Sequence, residues 1–420
     1  MVHYDPLEYL THLKSKGINL DLGPVTRLLR SLGNPHKNYR TVLIGGSNGK
    51  GSVAAIISSI LTRGGFTVGL YTSPHLVDFR ERIRINNRLI EQEDLLQLID
   101  QVRNVVTEDV TYFEFATAIA FVHFYRCRVD LAILEVGMGG RLDATNVVDP
   151  EVSVITNVSL EHQRYLGRNL NSIAREKGGI IKRNGICLTA AKQTTVIKML
   201  EHICSTRQSR LYRLGKEIRI RRSKGETFSY DGISKTYKNL SVPLMGRHQI
   251  DNAALALAAL ELLEDTGYSI AEETIVHGLR EVRWEGRLEV LNDNPRLVVD
   301  GAHNPAAISV LYRTLKDDFT YDRLILIFGV LKDKNYRAML RRLAPLADEI
   351  IVTGPREERA LQPDALRPVA HYYNRNVEVI DDSRKALLTA VRRARTHDLI
   401  CVTGSLYLVG EIKQALDVLS

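Results

Sequence analysis

The chain has 420 residues, which suggests two or three domains at about 150 residues each. Hydrophobic residues make up 44% and charged residues 25%, so the chain can bury a sizeable core, which excludes a disordered protein, a collagen-like fibre and a disulfide-stapled miniprotein. Basic residues outnumber acidic residues 57 to 49, and the formal charge of +8 suits anionic ligands without identifying one.

The N-terminal part of the sequence predicts a βαβ unit. Helical spacing of apolar residues before residue 33 is followed by the short apolar run 41–44, typical of a buried strand. That run leads directly into the glycine-rich segment 45–52. Helical spacing resumes over 53–61, and 67–71 is predicted as the next strand. A strand, a glycine loop, a helix and a strand in this order predict a parallel sheet.

The remaining sequence predicts a large α/β domain followed by a smaller one. A charged stretch is interpreted as a peripheral hairpin region, and an alanine- and leucine-rich stretch as a helix. Within the charged stretch, the basic tract 219–222 could contact phosphates, but a strand or hairpin with a solvated basic face is the favoured interpretation. The pattern restarts near residue 285, which we take as the domain boundary. The predicted segments are strands at 129–135 and 151–156, the hairpin region 210–238, the helix 248–263, and strands at 297–300, 324–328, 349–353 and 399–403.

The loop 46–52 is the strongest chemical signal. A phosphate cradle needs glycines so that backbone N–H groups can converge on anionic oxygens, a lysine for the terminal phosphates and a hydroxyl for Mg²⁺. Lys50 and Ser52 meet the last two needs, although Gly51 separates them, so the strict consensus is not met. A glycine-rich turn without a nucleotide is the alternative. The candidate ATP-binding residues here are Ser47, Asn48, Gly49, Lys50, Gly51 and Ser52.

Further polar residues follow predicted strands, where parallel sheets place ligand sites. Glu135 ends an apolar strand, and a carboxylate there commonly faces the Mg²⁺ of a nucleotide, although it could equally mark the strand end. His162 follows the next strand, and a lone histidine is usually structural. Lys177 has the pattern of a solvated helix lysine. Asp300 and His303 lie in another loop of this kind.

Several classes of protein are not supported by the sequence. No Gly-x-Ser-x-Gly elbow, Cys/His pairing or H-E-x-x-H motif indicates a hydrolase, and no nucleic-acid-binding signature is present. The longest apolar runs fall short of the roughly 18 residues of a membrane span. The start has no secretory-signal pattern, and four scattered cysteines without C-x-x-C indicate a reducing compartment and no structural zinc. We therefore expect a cytoplasmic protein without nucleic-acid or membrane partners.

A series of motifs in order over nearly the whole chain resembles the folylpolyglutamate synthase/dihydrofolate synthase family of the Mur-ligase superfamily, whose members are ATP-dependent amide-bond ligases. The matching segments are 46–52, 70–75, 79–83, 135–146, 176–181, 246–249 with Asn252, 284–287, 300–305 and 404–408.

The resemblance implies a P-loop NTPase-type, parallel-sheet N-terminal domain in 1–285 and a smaller Rossmann-like, glutamate-ligase C-terminal domain in 286–420, with ATP between them. It implies that the substrates are ATP, L-glutamate and dihydropteroate or reduced folates. It also implies two Mg²⁺ ions, a monovalent cation and a monomer. By the resemblance, Lys50 and Ser52 would bind phosphates and Mg²⁺, and Glu135, His162 and a carbamylated Lys177 would bind metal. Asn252, Arg287 and Asp300 would line the nucleotide site, and His303 would lie near the domain cleft.

The pterin site is also implied by the resemblance. Segment 111–115 is similar to the dihydropteroate loop of bifunctional members, so Thr111 and Phe113 would contact the pterin, with Asp143 as a further contact. A core aromatic is the alternative for Phe113. The chain departs from the family at Ser47, where threonine is usual, and at Gly178, where alanine is usual. Glu161 replaces a common aspartate and is one methylene longer, which leaves its contact open.

Four other functions remain as alternatives. A cell-wall Mur ligase would carry a sugar-nucleotide domain before the loop, where only 45 residues precede Gly46. The others are a folylpolyglutamate synthase without the dihydropteroate activity, a nucleotide-dependent binding module or ATPase without ligase activity, and a basic nucleic-acid-binding ATPase.

Overall fold

The computed structural model describes residues 6–223 and 227–417, and the chain divides into two compact units. Unit 1 comprises the described residues of Met1–His75, Phe79–Pro243 and Ile250–Val282. Unit 2 comprises those of Leu76–Asp78, Leu244–Gln249 and Arg283–Ser420. Each unit is built on its own sheet.

The helices are α1 Pro6–Leu13, α2 Gly23–Ser31, α3 Lys50–Arg63, α4 Gln92–Arg103, α5 Tyr112–Arg126, α6 Gln163–Leu166, α7 Leu170–Gly178, α8 Thr194–Thr206, α9 His248–Glu264, α10 Glu272–Glu281, α11 Pro305–Asp317, α12 Tyr336–Leu343, α13 Pro363–Tyr373, α14 Ser383–Arg393 and α15 Leu406–Asp417. Short 3₁₀ turns cover Lys14–Lys16, Pro35–Lys37, Phe79–Arg82, Ala144–Val147 and Ala344–Leu346.

The strands are β1 Arg40–Gly45, β2 Val68–Tyr71, β3 Ile83–Ile85, β4 Arg88–Leu89, β5 Leu131–Glu135, β6 Val152–Ile155, β7 Ile186–Thr189, β8 Arg210–Arg213, β9 Arg219–Arg222, β10 Thr227–Asp231, β11 Thr236–Ser241, β12 Glu289–Asp293, β13 Arg296–Asp300, β14 Leu324–Phe328, β15 Glu349–Gly354, β16 Val377–Asp382 and β17 Leu399–Thr403.

The large sheet of unit 1 has the strand order β4-β3-β2-β5-β1-β6-β7-β8. The six neighbouring strands β2, β5, β1, β6, β7 and β8 are parallel, as the βαβ pattern predicts. The edge differs from the prediction of a parallel sheet, because β3 and β4 form an antiparallel hairpin. Asn86 and Asn87 form its turn with φ of +49° and +63°, the conformation that suits a two-residue hairpin loop.

The core of unit 1 explains why its helices carry long apolar stretches. Strands β1 and β5 are buried almost throughout, since helices cover both faces of the sheet. Helix α3 is buried from Gly51 to Leu61, and α5 from Glu114 to Phe124. Both helices run along the sheet, and each begins at a loop that carries candidate site residues.

The charged stretch 210–238 is more than a peripheral hairpin. Strand β8 joins the large sheet beside β7, and β9, β10 and β11 form a separate antiparallel sheet of three strands. The basic strand β9 is mostly exposed, which confirms the prediction of a solvated basic face.

The sheet of unit 2 has the order β12-β13-β17-β14-β15-β16, parallel except for the antiparallel edge strand β12. The predicted strands 297–300, 324–328, 349–353 and 399–403 are present as β13, β14, β15 and β17. Two α/β units, the larger one N-terminal, confirm the predicted fold class. In the described part of the chain, no helix combines the length and apolar character needed to cross a membrane.

Candidate active site

The glycine-rich loop 46–52 joins the end of β1 to α3. Gly46 has φ of +134° and Gly49 has φ of +86°, a region that side chains rarely adopt. A Cβ on Gly46 would lie 1.9 Å from Oγ1 of Thr156, and a Cβ on Gly49 would lie 2.5 Å from Oδ1 of Asn252. Glycine is therefore required at both positions. The structure also brings Asn252, a predicted nucleotide ligand, beside the loop.

The loop is fixed by the segment that follows β6. The backbone N–H of Ser47 donates to the Asn157 carbonyl at 2.9 Å, and the Ser159 N–H donates to Oγ of Ser47 at 2.9 Å. The Asn48 carbonyl accepts from Oγ1 of Thr156 at 2.7 Å and from Nδ2 of Asn157 at 2.8 Å. These bonds hold the loop in one conformation, so its backbone is organised before any anion binds.

Lys50 and Glu135 meet at the carboxyl edge of the sheet. Glu135 ends β5, and Lys50 begins α3 after the loop that follows β1, the parallel neighbour of β5. The Lys50 Nζ atom lies 3.9 Å from Glu135 Oε1, and both side chains are largely buried. The other Glu135 oxygen accepts the Ser73 N–H at 3.1 Å. Gly51 and Ser52, both buried, form the first turn of α3. A cation, a carboxylate and a hydroxyl thus surround one loop.

Lys177 lies inside the protein and not on a solvated helix face. Its side chain is 2% exposed, and its Nζ atom donates to the Gly46 carbonyl at 2.9 Å and to Glu161 Oε1 at 2.7 Å. Burial lowers the pKa of Lys177, although the Glu161 carboxylate opposes the shift. Burial also opposes ionisation of Glu161, but the ammonium groups of Lys177 and Lys50 outweigh it and lower its pKa to about 2.

The longer Glu161 side chain therefore reaches Lys177 directly. His162, the next residue, has φ of +43° and ψ of +37° and precedes α6. A left-handed conformation at a residue other than glycine carries strain and persists where the surroundings fix it. The structure places His162 immediately beyond the carboxylate that binds Lys177.

Phe113 contacts the loop after β5. A Cβ on Gly137 would lie 2.6 Å from the Phe113 ring, and the ring centroid lies 6.0 Å from that of Tyr71. Phe113 is in the first turn of α5, which Thr111 caps. The Glu114 carboxylate accepts the Thr111 N–H and Oγ1–H at 2.7 Å each, and the Glu114 N–H donates to Thr111 Oγ1 at 3.3 Å. This capping box fixes where the ring lies.

Asp143 belongs to the same loop after β5. Its Oδ2 accepts the Met138 N–H at 2.9 Å, and its Oδ1 accepts from the Thr145 N–H at 3.0 Å and from Oγ1 of Thr145 at 2.6 Å. Burial raises the pKa of Asp143, and these hydrogen bonds oppose the shift. The structure thus brings Phe113 and Asp143, predicted as pterin contacts, to one loop.

Asp300, Arg287 and His303 come together at the carboxyl end of β13 in unit 2. Asp300 accepts the Leu288 N–H at 2.9 Å and the Ala302 N–H at 3.0 Å. Burial raises the pKa of Asp300, and the positive charge of Arg287 opposes this.

Gly301 lies at the centre of this group. A Cβ there would lie 2.4 Å from Nη1 of Arg287, and its carbonyl accepts from Nδ1 of His303 at 2.9 Å. Because a carbonyl only accepts, the Nδ1 atom carries the proton, which leaves Nε2 of a neutral His303 as an acceptor.

Two protein-family models match the sequence. The Mur ligase middle domain matches residues 44–260, and the Mur ligase glutamate ligase domain matches residues 286–406. A dihydrofolate synthase/folylpolyglutamate synthase of Bacillus subtilis is 34% identical over 413 residues, which are 95% of this chain and 96% of that protein. The chain belongs to the dihydrofolate synthase/folylpolyglutamate synthase family of Mur ligases.

Solved structures of the family agree over the full length. Escherichia coli FolC in complex with DHPP and ADP is similar with a TM-score of 0.92 and 29% identity, covering 99% of this chain and 98% of that one. A bifunctional folylpolyglutamate synthase/dihydrofolate synthase bound to Mn, AMPPNP and L-glutamate has a TM-score of 0.89 and 28% identity, with the same coverage.

The residues around Lys50 fit a divalent metal of the Mg²⁺ type. Mg²⁺ prefers oxygen ligands and commonly combines one or two protein carboxylates with phosphate oxygens and water. Glu135 and Ser52 offer such oxygens beside the phosphate loop. Among the described residues, no cluster of three or more His, Cys, Asp or Glu side chains could hold a metal alone.

The site contains residues that the motif reasoning did not assign. Ser73 donates to Glu135, and Thr156 and Asn157 fix the phosphate loop. Each follows the end of a strand, β2 for Ser73 and β6 for the other two. The signal for all three was therefore similar to the one that identified Glu135, a polar residue at the end of a buried strand or within two residues after it.

Proposed function

We propose that the chain is an ATP-dependent ligase that joins L-glutamate to dihydropteroate and extends the glutamate tail of reduced folates. The observation that carries the proposal is the cluster at the phosphate loop. Lys50 lies 3.9 Å from Glu135, and Lys177 lies 2.9 Å from the Gly46 carbonyl. Family membership supports the reaction class, and relatives solved with ADP, DHPP, AMPPNP and L-glutamate support the substrates.

The proposed reaction activates a carboxylate so that an amine can attack it. A carboxylate does not react with an amine at neutral pH, because its leaving group is poor. In the proposed reaction a carboxylate oxygen of the pteroate attacks the γ-phosphorus of ATP, the bond to the β-phosphate oxygen breaks, and ADP leaves. The glutamate amine, having lost a proton, attacks the acyl phosphate and expels phosphate, which forms the amide bond.

Residues of unit 1 would bind the phosphates of ATP and stabilise the transferring phosphoryl group. The backbone N–H groups of Ser47, Asn48, Gly49 and Gly51 would cradle the phosphates together with Ser52. Lys50 would neutralise charge on the transferring group, mainly an effect of position and electrostatics.

Asn252, Arg287 and Asp300 would complete the nucleotide site, and His303 would position or deprotonate the glutamate amine. The acceptor Nε2 of His303 suits that role, because its Nδ1 proton is already used by the Gly301 carbonyl. Thr111, Phe113 and Asp143 would bind the pterin. We assign the ATP-binding role to 1–285 and the glutamate-ligase role to 286–420.

The metal ligands proposed are Ser52, Glu135, His162 and a carbamylated Lys177. A divalent ion bound there supplies positive charge to the phosphate oxygens. We propose two divalent ions and a monovalent cation. Carbamylation converts a buried cation into an anionic oxygen ligand, and only a neutral amine reacts with CO₂. The lowered pKa of Lys177 favours that amine.

Carbamylation is tested with isotopically labelled bicarbonate and NMR of the active protein. A carbamate signal that is present in the parent chain and absent from Lys177→Arg supports it, because arginine keeps the charge but cannot be carbamylated under these conditions. An active parent chain with no carbamate signal refutes it.

The function is tested by supplying ATP, Mg²⁺ and L-glutamate with dihydropteroate in one reaction and a reduced folate monoglutamate in another. We expect an amide product from each and ADP release that depends on the acceptor. Amide product from the folate alone would indicate a folylpolyglutamate synthase. ADP release at the same rate without an acceptor, and no amide product, would refute the ligase.

The contacts of Phe113 and Asp143 favour the dihydropteroate activity, because both lie at the loop after β5. We further propose that the chain acts as a monomer in the cytoplasm on small molecules, without nucleic acid. Four scattered cysteines without C-x-x-C spacing support the proposal of a reducing compartment.

A further inference from the structure

Arg82 belongs to segment 79–83, which matches the family motifs but contributes no residue to the reaction proposed above. The residue is buried, with 6% of its surface exposed. Its Nε atom donates to Nδ1 of His75 at 2.8 Å. Because an arginine only donates, this Nδ1 atom carries no proton and the imidazole is neutral. The histidine therefore accepts a hydrogen bond from Arg82 but does not balance its positive charge.

The guanidinium group of Arg82 forms no ion pair with any carboxylate in the described part of the chain. Its neighbours are aromatic, since it lies 5.3 Å from the centroid of the Tyr112 ring and 5.9 Å from that of Phe79. Aromatic faces attract a cation but do not neutralise it. A buried charge without a counter-ion is costly, so these surroundings favour a bound anion.

The two terminal nitrogens of Arg82 are accessible to such an anion. Neither forms a hydrogen bond with a described residue, and neither is among the side-chain atoms that are fully buried without a partner. Both therefore keep some exposed area, although the residue as a whole is enclosed. Their N–H groups form the end of a planar fork, which fits the two oxygens of a carboxylate.

Arg82 lies beside the residues that are predicted to bind the pterin. Its carbonyl accepts the Thr72 N–H at 3.0 Å, which continues the pairing of β2 with β3. The residue before Thr72 is Tyr71, whose ring centroid lies 6.0 Å from that of Phe113. Tyr112, which the guanidinium group faces, directly precedes Phe113. Arg82 therefore contacts both segments that hold the Phe113 ring.

The same backbone segment leads from Arg82 to the phosphate loop. Ser73, the residue after Thr72, donates its N–H to Glu135 at 3.1 Å, and Glu135 lies 3.9 Å from Lys50. Dihydropteroate has its single carboxylate at the end opposite to the pterin ring. In the proposed reaction that carboxylate approaches the γ-phosphate. An anion-binding residue near both the pterin contacts and Glu135 suits this carboxylate.

We propose that Arg82 binds the carboxylate of the pterin-bearing acceptor through its two terminal nitrogens. The inference rests on the proposed function, because the acceptor is the pteroate or folate of that reaction. The guanidinium group stays protonated, so Arg82 orients the carboxylate and takes no part in proton transfer. The bound carboxylate supplies the negative charge that the described residues around Arg82 do not.

The test compares dihydropteroate with its carboxamide analogue, which has a similar shape but no negative charge. Binding is measured by calorimetry on the full chain with ADP and Mg²⁺, which permit no phosphoryl transfer. The parent chain should bind the acid about tenfold or more tightly than the carboxamide. In Arg82→Gln this preference should fall below about threefold, while the affinity for the carboxamide changes by less than about threefold.

Three controls accompany this comparison. Arg88→Gln removes a charge from an exposed position of the β3–β4 hairpin and should keep the full preference for the acid. Arg82→Lys keeps the charge but loses the planar fork, so it should retain only part of the preference. It also provides the comparison if circular dichroism shows that Arg82→Gln does not fold. The affinity for ADP should be the same in every variant, because the proposed anion is not a phosphate.

Four results would overturn the proposal. The first is that the parent chain binds the acid and the carboxamide equally or binds neither, and the second is that Arg82→Gln keeps the preference for the acid. The third is that Arg82→Gln weakens both ligands equally, which would show that Arg82 only packs between the rings. The fourth is a loss of ADP affinity instead, which would identify the anion as a nucleotide phosphate. None of them refutes the ligase, which is measured separately by the formation of its glutamyl product.

Discussion

The carboxyl edges of the two sheets hold their polar groups in different ways. In unit 1, Lys50 pairs with Glu135 and Lys177 pairs with Glu161, and all four side chains are buried or largely buried. In unit 2, both oxygens of Asp300 accept backbone N–H groups, one from Ala302 in its own loop and one from Leu288 just before β12. The first arrangement depends on several side chains from distant parts of the chain, and the second on backbone groups within fifteen residues of one another.

The two arrangements should respond differently to substitution of their side chains. Removing one member of a buried charge cluster leaves its partner unpaired in a low dielectric, which is costly. Removing a carboxylate that accepts two backbone N–H groups leaves donors unsatisfied, a smaller local cost. We therefore expect the largest effects of substitution in unit 1 and intermediate effects in unit 2.

Lys177→Met should have the largest effect. In protein kept free of bicarbonate and divalent metal, where Lys177 is an ammonium group, the variant leaves the Glu161 carboxylate buried without its cation. We expect the free energy of unfolding to fall by about 3–5 kcal/mol. The double variant Lys177→Met/Glu161→Gln should regain most of this loss, because no buried charge remains. Urea unfolding of the two single variants and the double variant measures the coupling. Additive effects would show that the two side chains do not interact.

The same pair predicts a pH dependence of stability. Glu161 has its pKa lowered from 4.5 to about 2, so its ionised form is favoured in the folded state. The stabilisation is present above pH 4.5 and is lost as the pH falls from 4.5 towards 2. Unfolding of Glu161→Gln should therefore depend less on pH over this window than unfolding of the parent chain. Equal slopes would contradict the pairing.

Lys50→Gln should chiefly affect catalysis. The variant removes the positive charge that would face the transferring phosphoryl group, and we expect kcat to fall about 10²–10³-fold. Lys198→Gln, at an exposed position of α8, is the matched control and should keep full activity. Initial rates of amide formation at saturating ATP measure the effect. A loss of less than threefold would exclude Lys50 from the reaction.

The parallel core of both sheets could be predicted because its strands are short apolar runs between glycine-rich loops and helical stretches. The strand 324–328 is an example, since β14 covers Leu324–Phe328 and is buried throughout. Strand β16, Val377–Asp382, was not predicted. Three of its six residues are acidic and the strand is only half-buried at the sheet edge, so the sequence lacks the continuous apolar signal.

The sequence predicts which residues belong to the candidate site, but it does not predict all of the contacts between them. The sequence alone suggests a solvated helix lysine at 177, yet the side chain is buried against Gly46 and Glu161, which lie 131 and 16 residues away along the chain. No local pattern encodes a pairing between residues so far apart. The extra methylene of Glu161 could be read in the sequence, but its consequence, direct contact with Lys177, required the fold.

Asp300→Asn tests the local arrangement of unit 2. An amide keeps one acceptor oxygen but turns an NH₂ group towards a backbone N–H, so one of the two hydrogen bonds is lost. We expect the free energy of unfolding to fall by about 1–3 kcal/mol. Asp293→Asn, exposed on β12, is the control and should change stability by less than about 0.5 kcal/mol. A loss as large as that of Lys177→Met would remove the contrast between the two edges.

Phe113→Leu should have the smallest of these effects and the most selective one. Leucine keeps an apolar side chain against Gly137 but loses the aromatic face that would stack on a pterin. We expect the KM for dihydropteroate to rise about tenfold, equivalent to about 1.4 kcal/mol, with the KM for ATP unchanged. Tyr372→Leu, at a side chain that is 78% exposed, is the control.

The free energy of unfolding of Phe113→Leu distinguishes a role of Phe113 in pterin binding from a role in core packing. If Phe113 binds the pterin, Phe113→Leu changes the KM for dihydropteroate while the free energy of unfolding stays within about 1 kcal/mol of the parent value. If Phe113 is only a core aromatic, the free energy of unfolding falls and the KM does not change. The second pattern would leave Asp143 without its predicted neighbour in the pterin site and would favour a ligase that acts on folates alone.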